Sequence, residues 1–493
     1  MKERVLLKGV VSEVSFPCKG KLMPAPEFPP ITEEEAPAGI LYVEPTKQYD
    51  PFPVKNLLPG QEWLVSTGLK GRRSGECHPI RLLKQAEYEV EAACPHANSC
   101  GGCLYQTVPY DLQTFWKEEQ IKQLLKDVPG IEEARWLPIQ KSPDVLEYRN
   151  KMEFSFGDEH KGGELTLGLH KRNSFHDVVS TSECRLVHPD LRKILKVTEQ
   201  FFKESGLPRY NTYGNTGILR HLVLRRSALN GGILVNLVAT SALKQQDGVL
   251  EAWVRALEEL ESSHDPAGTC QLSGQLEGTI RGILYTENDQ TADAVKADAL
   301  HVLRGKAELT EALHGLTFKI YPFSFFQTNT HGAEKLYGIV KDFAGDVSSQ
   351  SVFDLYCGTG TIAQIMAAAG AERVVGIELV EEAVKAAGEN AVINGLSNCS
   401  FIAGDVLKEV EKLSEAPDLI ILDPPRDGCH PKALPKLLAF APKRFIYVSC
   451  KPTSLVRDLP YFVEAGYHID KVQPCDMFPM TPHTEVVALL SKK

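Results

Sequence analysis

The 493-residue sequence lacks any apolar run approaching the ~18–20 residues needed to cross a bilayer. That excludes a helical membrane protein. It lacks an excess of positive charge: 54 Lys and Arg stand against 64 Asp and Glu, a net charge of −10 with pI ≈ 5.8. A chain-wide electrostatic grip on nucleic acid is therefore excluded, although a local patch is not. The opening MKERVLLKGVVSEV has no basic end, apolar stretch and small-residue cleavage site of a secretory signal, so a cytoplasmic address is expected. No internal repeat is found. Hydrophobic residues at 43% and charged residues at 24% are ordinary globular usage, which excludes a mostly disordered chain.

What is present in quantity is cysteine, twelve in all. In a reducing compartment a metal site or a catalytic thiol explains some of them better than disulfides do. Charge is also unevenly spread. From Lys141 to Asn230 the net is +4, leaving −14 for the remainder, so the middle of the chain is where a phosphate backbone is tolerated.

At ~150 residues per domain the length allows about three. Residues 1–90 alternate short β-like runs (Val5–Val14, Ile40–Val43, Trp63–Thr67) with Pro and Gly breaks, which predicts a small all-β module interrupted by a Pro- and Glu-rich loop from Pro24 to Pro37. Residues 91–320 form a central α+β region. It has a helix over Val108–Lys126, strands at Lys151–Phe156, Leu165–His170, His221–Arg226 and Ile233–Ala239, and a helix at His188–Ser205. Residues 321–493 turn to strand–loop–helix repeats, with strands at Ser351–Tyr356, Arg373–Glu378, Ser400–Ala403, Asp418–Leu422 and Arg444–Ser449 and a closing pair near Tyr467–Val472 and Glu485–Leu490. Continuous Val/Ile/Leu strands alternating with helices imply a parallel sheet covered on both faces, whose ligands bind beyond the carboxyl ends of the strands.

Those strand ends carry the chemistry. Asp354-Leu-Tyr-Cys-Gly-Thr-Gly-Thr361 is a glycine loop that lets backbone approach a ligand, Glu378 suits a ribose diol, and Asp405 after Gly404 is placed to meet an adenine amino group. Together they describe an S-adenosylmethionine site better than a dinucleotide site. Asp423-Pro-Pro-Arg426 holds a carboxylate at the mouth of the site. Exocyclic-amine methyltransferases usually carry an aromatic residue where Arg426 stands, which does not favour that chemistry. Cys450 ends strand Arg444–Ser449 at the same edge. A thiolate there is a nucleophile for an electron-poor alkene carbon, with Lys451 and Arg457 expected to lower its pKa. Asp476 to Glu485 supplies a carboxylate and the His483 imidazole, either of which could be a general base. Cys94, Cys100 and Cys103 lie within ten residues. With Cys184 as fourth thiol, or Cys77 second, they suit zinc or an iron–sulfur cluster, between which spacing cannot choose.

Taken together these residues resemble the RNA uracil-C5 methyltransferase (TrmA/RumA) family over nearly the whole chain, most closely its bacterial 23S rRNA branch. The resemblance implies a Rossmann-like S-adenosylmethionine-dependent methyltransferase domain, an N-terminal OB-like (TRAM-like) β-barrel and a central α+β domain. It implies Cys450 as nucleophile and Glu485 as general base. Gln327, in Phe323-Ser-Phe-Phe-Gln327-Thr-Asn329, falls on a cofactor position, and Tyr356, Thr361, Glu378, Asp405 and Asp423 fall on other cofactor or substrate positions. Cys94, Cys100, Cys103 and Cys184 match the ligands of a [4Fe–4S] cluster. The partner implied is RNA, 23S rRNA ahead of tRNA, with no membrane, acted on by a monomer. The TRAM likeness is clearest in Asn56-Leu-Leu-Pro-Gly-Gln61, and the front module departs from the family in its Pro/Glu insert and few basic residues. Thr361 stands where the family often has Asn. A non-catalytic iron–sulfur RNA-binding protein is the alternative of a different class.

Overall fold

The computed structural model describes residues 4–24, 51–68, 77–262, 275–291, 297–413 and 415–492. The expected run at Ile40–Val43 and the insert beyond Pro24 lie outside them. Among the described residues no helix is long and apolar enough to cross a membrane.

Three large sheets organise the chain. The first is five-stranded and antiparallel, built from Arg4–Ser15, Lys19–Pro24, Phe52–Lys55, Glu62–Gly68 and His78–Lys84. Its apolar positions Leu7, Val11, Leu22, Val54 and Val65 alternate with solvent-facing ones and close a small core of their own. The second has seven strands, with Leu219–Arg226 at its centre between Gly232–Ala239 and Lys151–Asp158. Helices Pro189–Ser205 and Val249–Ser262 pack on it through Leu191, Ile194, Phe202, Trp253 and Leu257.

The third sheet has eight strands in the order Cys399–Ala403, Arg373–Glu378, Ser351–Leu355, Leu419–Leu422, Arg444–Ser449, Glu485–Lys492, Tyr467–Cys475, Arg135–Trp136. The first five are parallel, as their apolar runs predict, and Glu485–Lys492 enters antiparallel to Arg444–Ser449. Buried Val352, Ile421, Ile446 and Val487 face one helical layer, while Phe353, Ile420, Phe445 and Val486 face the other. Each such side chain contributes roughly 1.5–3 kcal/mol of burial, so both faces are fixed. Chain order reverses between Ser351–Leu355 and Leu419–Leu422, and that switch point opens a crevice at their carboxyl ends.

Helix Tyr110–Leu125 departs from its apolar pattern. Gln113, Thr114 and Lys117 are buried, whereas Phe115 is 59% exposed. The polar face turns inward because it holds the segment before the last strand. Lys117 Nζ lies 2.6 Å from Asp476 Oδ1, both side chains wholly buried, and also donates to the Phe478 carbonyl. Gln113 accepts from the Met480 amide and donates to the carbonyls of Tyr105 and Val108. Residues 135–140 then run along the edge strand Tyr467–Cys475, covering amides that would otherwise be an open sheet edge.

Removing one partner of a buried pair leaves an uncompensated charge, whereas apolar replacement of both does not. Lys117→Met should therefore cost ~3–5 kcal/mol in urea unfolding, and Lys117→Met with Asp476→Leu should recover most of it. Equal losses in the single and double variants would locate the stabilisation in packing rather than charge.

Candidate active site

The glycine loop after Ser351–Leu355 adopts left-handed conformations at Tyr356, Gly358 and Gly360, with φ of 67°, 54° and 73°. A Cβ at Gly360 would stand 2.5 Å from the Phe401 ring, so glycine is required by space as well as by φ. Asp354, fully buried, accepts from the Ala363 amide at 2.8 Å and so anchors the first turn of helix Thr361–Ala368. Burial, and then the neighbouring charge of Asp423, hold its carboxyl well above the usual range.

A narrow cavity of about 30 Å³ lies over this loop. Of the residues singled out for cofactor binding, Gln327, Tyr356, Thr361 and Asp423 line it, together with Cys357 of the glycine loop. Glu378 does not line it. Its two oxygens accept from the amides of Gly358 and Val380, both at 3.0 Å, so its carboxylate braces the glycine loop. Asp405 is also outside, and accepts from the Leu407 amide as the cap of a short helix. Sequence reasoning did not single out Tyr337 or Phe326, which complete the wall. Both lie in apolar-patterned stretches and read as core.

Gln327 is held from two sides. The Asn150 side-chain amide donates to the Gln327 carbonyl and to the Thr330 hydroxyl, each at 2.8 Å. Asn329 caps helix Thr330–Ala344 through Gly332 and donates to the Met477 carbonyl at 2.9 Å. Arg225 of the central sheet donates to the carbonyls of Pro322 and Ser324.

The reacting edge is set by strand register. Ser449 pairs with Val486, so one position further along that antiparallel pair Cys450 stands opposite Glu485. Both neighbour Asp423, since charge on Asp423 acts on each. Glu485 is 3% exposed, and burial, then Asp423, push its carboxyl up to about 8 against the pull of Arg426. Asp423 itself is pushed by burial up to about 7.

Two expectations are corrected here. The Cys450 thiol is not lowered by Lys451 and Arg457. Burial, followed by Glu485 and Asp423, pushes it up to about 12, and Arg426 is the cation that opposes them. Arg457 is instead bound to Asp458 at 2.7 Å and to the carbonyls of Asp427 and Cys429. Asp476 is no candidate base, since Lys117 occupies it. His483 is pushed down to about 4 by burial and by Arg426, so its imidazole is neutral at pH 7.

Cys94, Cys100, Cys103 and Cys184 are reduced, and lie near enough for charge on one to act on the others. Burial, then neighbouring thiols, raises Cys103 to about 12, and burial raises Cys184 to about 11. Amides point at the sulfurs. Gly102 donates to Cys100 Sγ at 3.3 Å, and the Leu186 and Val187 amides serve Cys184. As a donor set, four thiols with N–H groups fit a thiolate-bound centre. Among the described residues, however, no three His, Cys, Asp or Glu side chains form a group that could hold a metal ion.

A doubly wound sheet with its crevice at the switch point, a glycine loop and polar strand ends defines a Rossmann-like methyltransferase of the kind that takes S-adenosylmethionine. The family model for tRNA (uracil-5-)-methyltransferase matches residues 306–493. An uncharacterized RNA methyltransferase of Clostridium tetani is 45% identical over 464 residues, covering 94% of this chain and 97% of its own. Another, from Caldanaerobacter subterraneus, is 45% identical over 429 residues, covering 87% and 90%. The crystal structure of Pyrococcus abyssi tRNA (uracil-54, C5)-methyltransferase in complex with S-adenosyl-L-homocysteine superposes with a TM-score of 0.69 at 23% identity, covering 98% of this chain and all of that one. The chain belongs to the RNA uracil-C5 methyltransferase family.

A carboxyl raised by burial is protonated in the fold, and its contribution to stability is complete below the unfolded value near 4.3 and lost as pH rises through about 8. Glu485→Gln cannot ionise. Its melting temperature relative to wild type should therefore climb between pH 5 and pH 9, reflecting on the order of a few kcal/mol. A difference independent of pH would mean that Glu485 is ionised throughout.

Proposed function

We propose that this protein methylates C5 of a uridine in RNA, using S-adenosylmethionine, with Cys450 as nucleophile and Glu485 as general base. The observation that carries this reading is the register that sets Cys450 opposite Glu485 at the carboxyl edge of the sheet, beside the cavity lined by Gln327, Tyr356, Thr361 and Asp423. S-Adenosylmethionine, when bound, supplies a methyl group on a cationic sulfur. Cys450 gives its proton to water and, as thiolate, adds to C6 of the uracil; the ring electrons displaced to C5 take up that methyl group as its bond to the cationic sulfur breaks, leaving the neutral thioether S-adenosylhomocysteine. Glu485 then removes the C5 proton, the C6–S bond breaks, and the thiolate returns. The target base has to leave its stack to reach both side chains.

The RNA we favour is 23S rRNA, on the cysteine loop and the N-terminal sheet. We also assign Cys94, Cys100, Cys103 and Cys184 to a [4Fe–4S] cluster. Their mutual proximity and the amides aimed at them support it, and the methylation itself calls for no electron transfer, so the role is structural. Residues 94–103 meet the central sheet through Gly101 and Arg172, so a shared cluster would clamp that junction.

Incubation with labelled S-adenosylmethionine and unmodified rRNA or tRNA, followed by digestion to nucleosides, should give 5-methyluridine. A methylated adenosine, or no product, overturns the reading, and the RNA that is labelled decides the substrate. Cys450→Ala should abolish transfer while still binding S-adenosylhomocysteine. Glu485→Gln should accumulate a covalent RNA adduct stable to denaturation. Anaerobically purified protein should be brown, with absorbance near ~400 nm that Cys100→Ser removes. Colourless protein carrying zinc would rule out the iron–sulfur assignment.

A further inference from the structure

A second cavity lies away from this site, at the opposite end of strand Leu219–Arg226 from Arg225. It measures about 330 Å³, in the range of small-ligand pockets. Its floor is Ser155, Phe156 and His221, its wall is Asp158, Arg209 and Arg220, and two loops form its mouth.

The loops are ordered by their own bonds. In one, Ser174 Oγ accepts from the amides of His176 and Asp177. In the other, Asn211 pairs with Thr216 and accepts from the Tyr213 amide at 3.0 Å. They meet where the Tyr213 hydroxyl lies 3.0 Å from His176 Nε2. Despite this order, Phe175 is 90% exposed and Tyr213 80% exposed. Tyr213 also meets the His176 ring edge to face, with centroids 5.4 Å apart, and both exposed rings keep most of their surface toward solvent beside a polar cavity, where a flat partner can stack.

Beneath them a bulge between Leu219 and His221 lets two consecutive residues, Arg220 and His221, both line the cavity. The Arg220 guanidinium sits 4.1 Å over the Tyr210 ring and donates to the carbonyls of Asn288 and Gln290, fixing the loop that carries Tyr213. Ser155 Oγ lies 3.3 Å from His221 Nδ1 within the lining, His170 and Asn211 add further polar atoms to it, and exposed Lys161 stands there for a phosphate. His221 and Arg225 are four residues apart on one strand, roughly 13 Å, and Arg225 binds the segment that carries Gln327. Strand Leu219–Arg226 therefore links the cavity to the segment that carries Gln327.

We propose that this cavity is a second base-binding subsite, taking an unpaired nucleobase of the same RNA strand, stacked on Phe175 and Tyr213, a few nucleotides from the uridine to be methylated. The proposal rests on the reading of the substrate as RNA. Single-stranded RNA is read in this way, by stacking splayed bases on aromatic rings and bonding their edges. The occupied subsite would fix which uridine reaches Cys450.

The test uses the full chain and the RNA that wild type methylates. Phe175→Ala with Tyr213→Ala should raise KM and the RNA dissociation constant by about tenfold or more. It should leave kcat at saturating RNA, S-adenosylhomocysteine affinity and melting temperature unchanged. Tyr213→Phe, which keeps the ring, should behave as wild type, and RNA carrying photoreactive 5-iodouridine should crosslink to Phe175 or Tyr213. If the double variant loses stability, Phe175→Ala alone, at a ring 90% exposed, decides the point by the same readouts. Wild-type KM in the ring-deleted variants, or crosslinks confined to other segments, overturns the subsite while leaving the methyltransferase reading intact. Wild type that binds and methylates no RNA overturns that reading and the subsite with it. Tight binding of a free nucleoside monophosphate in the cavity without competition from RNA would overturn the assignment to the RNA strand.

Discussion

The constraint on which the reacting edge depends is the buried ion pair between Lys117 and Asp476. Taking two charges wholly out of water costs several kcal/mol per ion, and only close contact with further hydrogen bonds offsets it. What the pair gains is position. Residues 476–484 have no regular structure of their own, yet they must deliver Glu485 at one height on the sheet. Lys117 and Gln113 hold them from the helix side, the Leu104 and Tyr105 amides donate to the Met480 carbonyl, and the Tyr148 hydroxyl donates to the Pro479 carbonyl at 2.9 Å. The residues following the cysteine loop, the helix and the start of the central sheet thus all bear on one loop.

That fixed edge gathers negative charge. Beyond burial, Asp423 raises Glu485, both raise Cys450, Asp354 feels Asp423, and Arg426 is the cation that opposes at both Glu485 and Cys450. Burial first, and then this repulsion, raises the carboxyls and the thiol. Coupling of this kind means the groups titrate as a set rather than singly.

Much of this was legible in the sequence, and the exceptions have physical reasons. The five parallel strands announce themselves because burial on both faces demands unbroken Val/Ile/Leu runs, and the strand ends draw attention to the glycine loop, Asp423 and Cys450, while Tyr356 and Thr361 were marked by the family resemblance. Glu378 and Asp405 sit at the strand ends as read, and the backbone amides that their carboxylates accept from are a local detail that spacing does not reveal. Lys117 was invisible because a lysine amid Glu and Gln in a helix reads as solvated. Only its partner 359 residues away makes it core. The two-residue strand Arg135–Trp136 is too short for any periodicity, and the hairpin of Leu309–Leu313 with Leu316–Ile320 hid between regions of clearer pattern.

The central sheet connects these parts mechanically. Strand Leu219–Arg226 is buried along nearly its whole length and paired on both sides, so it cannot slip by one residue without exchanging its faces. At one end Arg225 fixes the segment leading to Gln327, and Asn150, just before the neighbouring strand, bonds to the Gln327 carbonyl itself. At the other end the bulge turns Arg220 and His221 into the large cavity. A strand held this way acts as a ruler. Its length, set by covalent geometry and not by any flexible linker, fixes the separation between the cavity under the aromatic loops and the segment that carries Gln327.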